Sequence, residues 1–151
     1  MQARPRLNMR KLSVGSESLE TLAAFQEMRR AERKARGEPP FSRHVTRMWP
    51  KRADEILDTD GCMYWIIKGV MQARQPILEF EEVDLGDGIR RCGIVLGPDL
   101  IPVAPRPARP FQGWRYFEQK DAPPDLADLS GEVDPEMPPE MLAELRELGL
   151  V

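Results

Sequence analysis

Two cysteines, a single histidine and no long apolar run in 151 residues exclude several classes of protein before any motif is considered. Small secreted domains are typically dense in disulfides, whereas Cys62 and Cys92 stand far apart in apolar segments that read as buried strands. One His and two distant Cys offer no recognisable zinc-ligand spacing. No segment approaches the roughly 20 apolar residues of a membrane helix, and no apolar stretch follows the early arginines as it would in a secretory signal. A cytoplasmic protein with reduced core cysteines, no membrane partner, no metal and no cofactor is the expectation.

The signatures of common catalytic machinery are missing too. There is no GxSxG elbow, no Ser-His-Asp order and no P-loop ending in GKS or GKT. The carboxylate pairs Asp54-Glu55 and Glu81-Glu82 are adjacent in sequence, so they point apart on a helix or strand and cannot work as a general acid and base together.

What is present is a strongly uneven distribution of charge. Residues 1–52 carry 13 Lys/Arg against 5 Asp/Glu, residues 53–117 carry 7 against 10, and residues 118–151 carry 2 against 10. A basic first third suits a polyanionic partner. The acidic end either folds back over the basic surface or keeps the chain soluble.

Leu7, Met9, Leu12 and Val14 fit a first strand that stops at Gly15. Ser16 is a candidate N-cap for a helix whose Leu19, Leu22, Phe25 and Met28 recur at helical spacing. Its last turns hold Arg29, Arg30, Arg33, Lys34 and Arg36, more positive charge than a helix C-terminus requires, which reads first as a solvated face. His44 to Met48 form a short strand. Pro50 then opens a helix with Ala53, Ile56 and Leu57 on one face, ended by Asp58 to Gly61. Cys62 to Val70 and Ile77 to Val83 read as strands, and Gly86-Asp87-Gly88 as a tight hairpin turn into Ile89 to Leu96. Five prolines between Pro98 and Pro110 enforce an extended path to a closing strand, Phe111 to Phe117. The order β-α-β-α followed by consecutive strands predicts an α+β domain over residues 1–126. Its sheet should be small, curved and mostly antiparallel, or a PUA-like barrel, flanked by helices. Residues 127–151 are expected to be an acidic linker and a C-terminal helix starting at Pro139, with Met141, Leu142, Leu145 and Leu148 inward.

Two basic-aromatic segments carry the functional signal. In Arg43 to Arg52, period-two alternation puts Arg43, Val45 and Arg47 on one face and His44, Thr46 and Met48 on the other. Arg47 and Lys51 near the helix start suit phosphate. His44 is the first candidate for a proton shuttle, with Lys68 as the second, although a structural histidine is the competing reading. In Tyr64 to Gly69, one aromatic belongs in the core. The other, together with Lys68, can line a pocket where a base stacks, unless both aromatics pack inside. In Arg106 to Tyr116, guanidiniums, Gln112 and three aromatics are interleaved around a proline-stiffened backbone, which suits stacking and cation–π recognition as well as it suits a strand closing the sheet.

The strings His44 to Arg52, Tyr64 to Gly69, Ala73-Arg74-Gln75 and Arg109 to Tyr116 resemble the bacterial family known as domain of unknown function 1489, over nearly all of Leu7 to Leu126. The acidic extension Gly131 to Val151 lies outside that resemblance. A helix Arg52 to Leu57 followed by a glycine turn into a strand is similar to the opening of ASCH domains of the PUA-like class, which implies RNA binding or action on modified nucleosides. The ASCH pattern G-x-K-x-x-E-x-R would fall on Gly61 to Lys68, where Met63 replaces the first Lys, Ile66 the Glu and Lys68 the final Arg. Loss of that Lys and Glu counts against hydrolase activity and leaves a binding role.

The expected function is therefore binding of RNA or a nucleotide-like ligand. Arg43, Arg47, Lys51, Lys68, Arg74, Arg109 and Arg115 would supply charge, Gln112 a polar edge, and Tyr64, Trp114 and Tyr116 stacking surfaces. The alternatives are a small hydrolase of a modified nucleoside or amide using His44 or Lys68, and a protein-interaction module with an acidic partner. Strand alternation lets only about half of each segment's side chains share one cleft.

Overall fold

The computed structural model describes residues 4–129, so the expected C-terminal helix lies outside the described residues. The chain order is β1 (Leu7–Leu12), α1 (Leu19–Ala35), β2 (Ser42–Thr46), α2 (Ala53–Asp58), β3 (Cys62–Ile67), β4 (Val70–Val83), β5 (Arg91–Leu96), β6 (Ile101–Pro107) and β7 (Trp114–Glu118), followed by two 3₁₀ turns. This is an α+β fold. The seven strands form one sheet ordered β2-β5-β4-β3-β1-β7, with β6 also paired to β4. Only β1 and β3 run parallel, and the path is open, with β2 and β7 at its ends.

The 14-residue β4 is the spine of the sheet. Its first half pairs with β3 and β6, its second half with β5, and the registers slip between Met71 and Ala73 and between Ile77 and Glu79. Pro76, which cannot donate to a ladder, sits between the halves. Bulges and a strand proline increase bend and twist, which is how one strand serves two halves of a curved sheet. The run expected as one strand from Cys62 to Val70 reverses instead at Lys68-Gly69, whose positive φ values of 49° and 77° are those of a two-residue hairpin turn. The chain reverses around Gly86-Asp87-Gly88, but as a longer loop and not the expected tight turn: pairing ends at Val83 and Arg91, so the partner strand starts at Arg91 and not at Ile89, and within the loop Asp87 accepts from the Ile89 N–H.

α1 begins two residues later than expected. Ser18, not Ser16, is the cap, its Oγ accepting from the Thr21 N–H at 3.1 Å. The buried face differs as well: Leu22 and Gln26 point into the sheet, while Phe25 and Met28 are 48% and 51% exposed. A polar anchor at Gln26, described below, rotates the helix away from the purely apolar stripe.

Alternation along β1 and β3 divides the core in two. Leu7, Met9, Met63, Trp65 and Ile67 pack with Leu22, Ile56, Ile77 and the inward side of β5 beneath the helices. Tyr64, Ile66, Cys62, Met71, Val103 and Phe117 form the opposite layer. Gly61 is where the helix α2 end crosses β1. A Cβ there would stand 2.0 Å from the Leu7 carbonyl oxygen, so only glycine allows the approach. Both cysteines are buried and free, and burial pushes the Cys92 thiol up to about 11. Among the described residues, no helix is long and apolar enough to cross a membrane.

Candidate functional site

A cleft of about 450 Å³ lies between α1, the end of β1 and β2. Its floor follows from register. Lys11 on β1 lies opposite Trp65 on β3 and opposite Trp114 on β7, so the three side chains share one sheet face, and the first two of them reach the cleft. α1 is fixed above them by an amide network. Gln75, fully buried, donates to Gln26 Oε1 at 2.8 Å and to the Gly97 carbonyl at 2.7 Å, and its Oε1 accepts from Gln26 Nε2 at 3.1 Å and from the Trp65 indole at 3.0 Å. Every polar atom of the Gln75 side chain is used. Such a satisfied buried amide specifies one position for the helix.

With Gln26 held down, helical spacing carries Phe25, Arg29, Arg33 and Arg36 along the same side of α1, over the cleft. Lys11 and Arg43 face them from the sheet. Five cations and no carboxylate therefore line the cleft. Three of them are engaged at the rim: Arg33 Nε donates to the Pro39 carbonyl, Arg36 pairs with Glu38, and Arg43 pairs with Glu81 at 3.0 Å. Among the described residues Lys11 and Arg29 have no carboxylate partner, and Arg29 rests over the Phe25 ring at 5.0 Å. Burial lowers Lys11 from its ordinary pKa of 10.5. Burial, and then the charge of Lys11, bring His44 down to about 4, so its imidazole is neutral at physiological pH and offers one donor and one acceptor. The ring stands edge-on to Trp65 at 5.8 Å.

Of the residues expected at the site, Arg43 and His44 line this cleft and the others do not. Tyr64 needs correction as a stacking surface. It is 1% exposed and packs edge-on against Phe117 at 5.1 Å, because alternation sends it into the opposite layer and leaves Trp65 as the cleft aromatic. Lys68 occupies the hairpin turn and pairs with Glu17, outside the cleft. Arg74 is a structural clamp. Its guanidinium meets both oxygens of Asp125 at 2.8 and 2.9 Å and also donates to Cys62 Sγ, tying the last described turn onto the sheet. Arg47, Lys51, Arg109 and Gln112 are exposed away from the cavity.

The two basic-aromatic segments do meet, by packing and not at a cavity. The Trp114 indole donates to the Met48 carbonyl at 3.1 Å, the Arg52 N–H donates to the Tyr116 hydroxyl at 3.0 Å, and the Arg52 guanidinium lies 5.4 Å from that ring. Arg115 alternates to the other sheet face and stacks on Phe111 at 4.8 Å, a ring it shares with Arg10. A smaller hollow of about 290 Å³ beside Arg4, Arg6, Arg52 and Lys120 also contains Glu55 and Glu118, so its positive charge is offset in part. Among the described residues, no group of three His, Cys, Asp or Glu side chains is placed to hold a metal ion.

The cleft residues missed from sequence are Lys11, Phe25, Arg29, Arg33, Arg36, Phe41 and Trp65. A signal existed for the arginines, since positions 29, 33 and 36 continue the helical stripe of Leu22 and Gln26. Nothing local marked that stripe as facing a cavity instead of water.

No curated protein and no solved structure matches this chain. One family model does, and it spans the acidic extension that the motif resemblance leaves out. With residues 9–151 matched, the chain belongs to the family described as protein of unknown function (DUF1489).

Proposed function

We propose that the protein binds RNA or a nucleotide-like ligand in the cleft between α1 and the sheet. The observation that carries this reading is a concave site of ligand-sized volume lined by five cations and no carboxylate. Arg36 and Arg43 are offset at the rim by Glu38 and Glu81, but Lys11 and Arg29 have no carboxylate partner among the described residues, and an anion in the cleft relieves the repulsion between these like charges. Lys11, part-buried and unpaired among the described residues, is the group that gains most from a phosphate. Neutral His44 provides a polar edge, and the half-exposed rings of Phe25 and Phe41 provide aromatic surface in the same cleft, which suits a base. The similarity of Arg52 to Lys68 to the opening of ASCH domains points in the same direction. A hydrolytic reading retains His44 as its proton-handling candidate, since Lys68 lies outside the cleft.

Tryptophan fluorescence titrated with uridine monophosphate and with oligouridylate tests the proposal, because Trp65 forms part of the cleft wall. The expected result is quenching that weakens as salt rises and that is lost in Lys11→Met. No change with either ligand at low salt refutes it.

A further inference from the structure

Resting on that reading, we infer that the cleft takes an extended single strand of nucleic acid along α1, and not an isolated nucleotide. The placement of charge carries the inference. Arg29, Arg33 and the C-cap residue Arg36 follow one another by four and three residues, so their side chains project from one side of the helix end at steps of about 6 and 4.5 Å along its axis. That is close to the separation of successive phosphates in an extended strand. A mononucleotide site would concentrate its donors on one phosphate, usually with a glycine-rich loop or backbone N–H groups at a helix start. Here the cations form a line along the later turns of α1, at the opposite end from the Ser18 cap.

The second observation is the aromatic surface beside that line. Phe25 and Phe41 both line the cleft, and they are 48% and 42% exposed. Rings held open next to arginines are the parts of a sequence-tolerant single-strand platform: bases stack on the rings while guanidiniums neutralise the backbone. A duplex hides its base faces and cannot use them. The rim pair Arg36–Glu38 does not oppose this, since its side chains are 61% and 46% exposed and exposed pairs are weak competitors for a phosphate.

Fluorescence anisotropy with the whole chain, using labelled oligouridylates from the monophosphate up to about nine nucleotides, tests the inference. Affinity should rise at least about a hundredfold between the monophosphate and a strand of about six nucleotides. With three phosphate contacts, log affinity should fall against log salt with a slope of about −2, and Arg29→Gln or Arg33→Gln should each reduce that slope by about 0.7. Phe25→Ala, on an exposed helix position, should weaken strand binding about tenfold. Oligodeoxythymidylate run alongside separates a ribose-blind strand site from an RNA-selective one, and binding of either strand type supports the inference. It is overturned if the monophosphate competes as well as the longer strands. Equal affinity for a duplex or for an oligoglutamate peptide overturns it too, as does a salt slope unchanged in both arginine variants. Monophosphate binding alone leaves the proposed function standing, whereas the absence of binding by any nucleic acid removes both.

Discussion

Replacing Gln75 with Met keeps the side-chain length but removes its four hydrogen bonds in a site with no solvent exposure. The Trp65 N–H and the Gly97 carbonyl each lose the partner seen there, and the Gln26 amide loses both of its own. An unsatisfied buried polar group costs about 1–3 kcal/mol. Three such groups, discounted because Gln26 lies near the surface and can turn outward, place the loss at about 3–5 kcal/mol. With a urea dependence of about 2 kcal/mol per molar, the unfolding midpoint should drop by about 2 M. The comparison that isolates the network is Gln26→Met. There Gln75 keeps its bonds to Trp65 and Gly97, so the loss should be about 1–2 kcal/mol. Urea titration followed by circular dichroism reads both. Equal losses in the two variants, or a Gln75→Met cost below about 1 kcal/mol, would show that packing and not the amide network holds α1 over the sheet.

Three further outcomes follow from the same geometry. His44, with its folded-state pKa near 4 against an ordinary 6.5, binds fewer protons folded than unfolded; its contribution is therefore intact at neutral pH and is lost as pH falls from 6.5 toward 4. About 3 kcal/mol of stability should disappear across that window, and His44→Gln should flatten it in urea titrations at stepped pH. Asp125 titrates below its ordinary 3.8 because Arg74 holds the carboxylate, so its contribution is intact above that value and lost as pH falls further; Asp125→Asn should cost about 2 kcal/mol at neutral pH and almost nothing in strong acid. Lys68→Asn suits a turn position at φ 49° and removes only an exposed ion pair, so thermal unfolding should report a gain of about 0.5–1 kcal/mol with nucleic-acid affinity unchanged.

Local chemistry made much of the fold legible. Period-two alternation in β1 and β3 and the glycines at 86 and 88 act through their own backbone, and strands and a chain reversal form there, whereas the proline-rich stretch expected only as an extended path pairs with β4 as strand β6. Errors arose where a long-range contact outweighed the local pattern. Phe25 and Met28 fit an apolar stripe, yet Gln26 is the buried residue because Gln75, distant in sequence, offers it two hydrogen bonds. Tyr64 and Trp65 are equally aromatic neighbours, and only the side on which α1 packs makes Trp65 the cleft wall.

By itself, then, the sequence determined the α+β class, the order of the elements apart from β6 and the β3–β4 turn, and the excess of positive charge in its first third. Each of these follows from backbone preference, hydrophobic period or simple counting, none of which requires knowing what packs against what. Which cations act together was decided only by tertiary structure. Lys11, the arginines of α1 and Arg43 of β2 come from three separate segments, and they line one cleft because the β1–β3 register and the Gln26–Gln75 anchor bring them there. Arg74 and Arg115, as basic in sequence as any of these, are turned to a clamp and to the opposite sheet face by the same alternation.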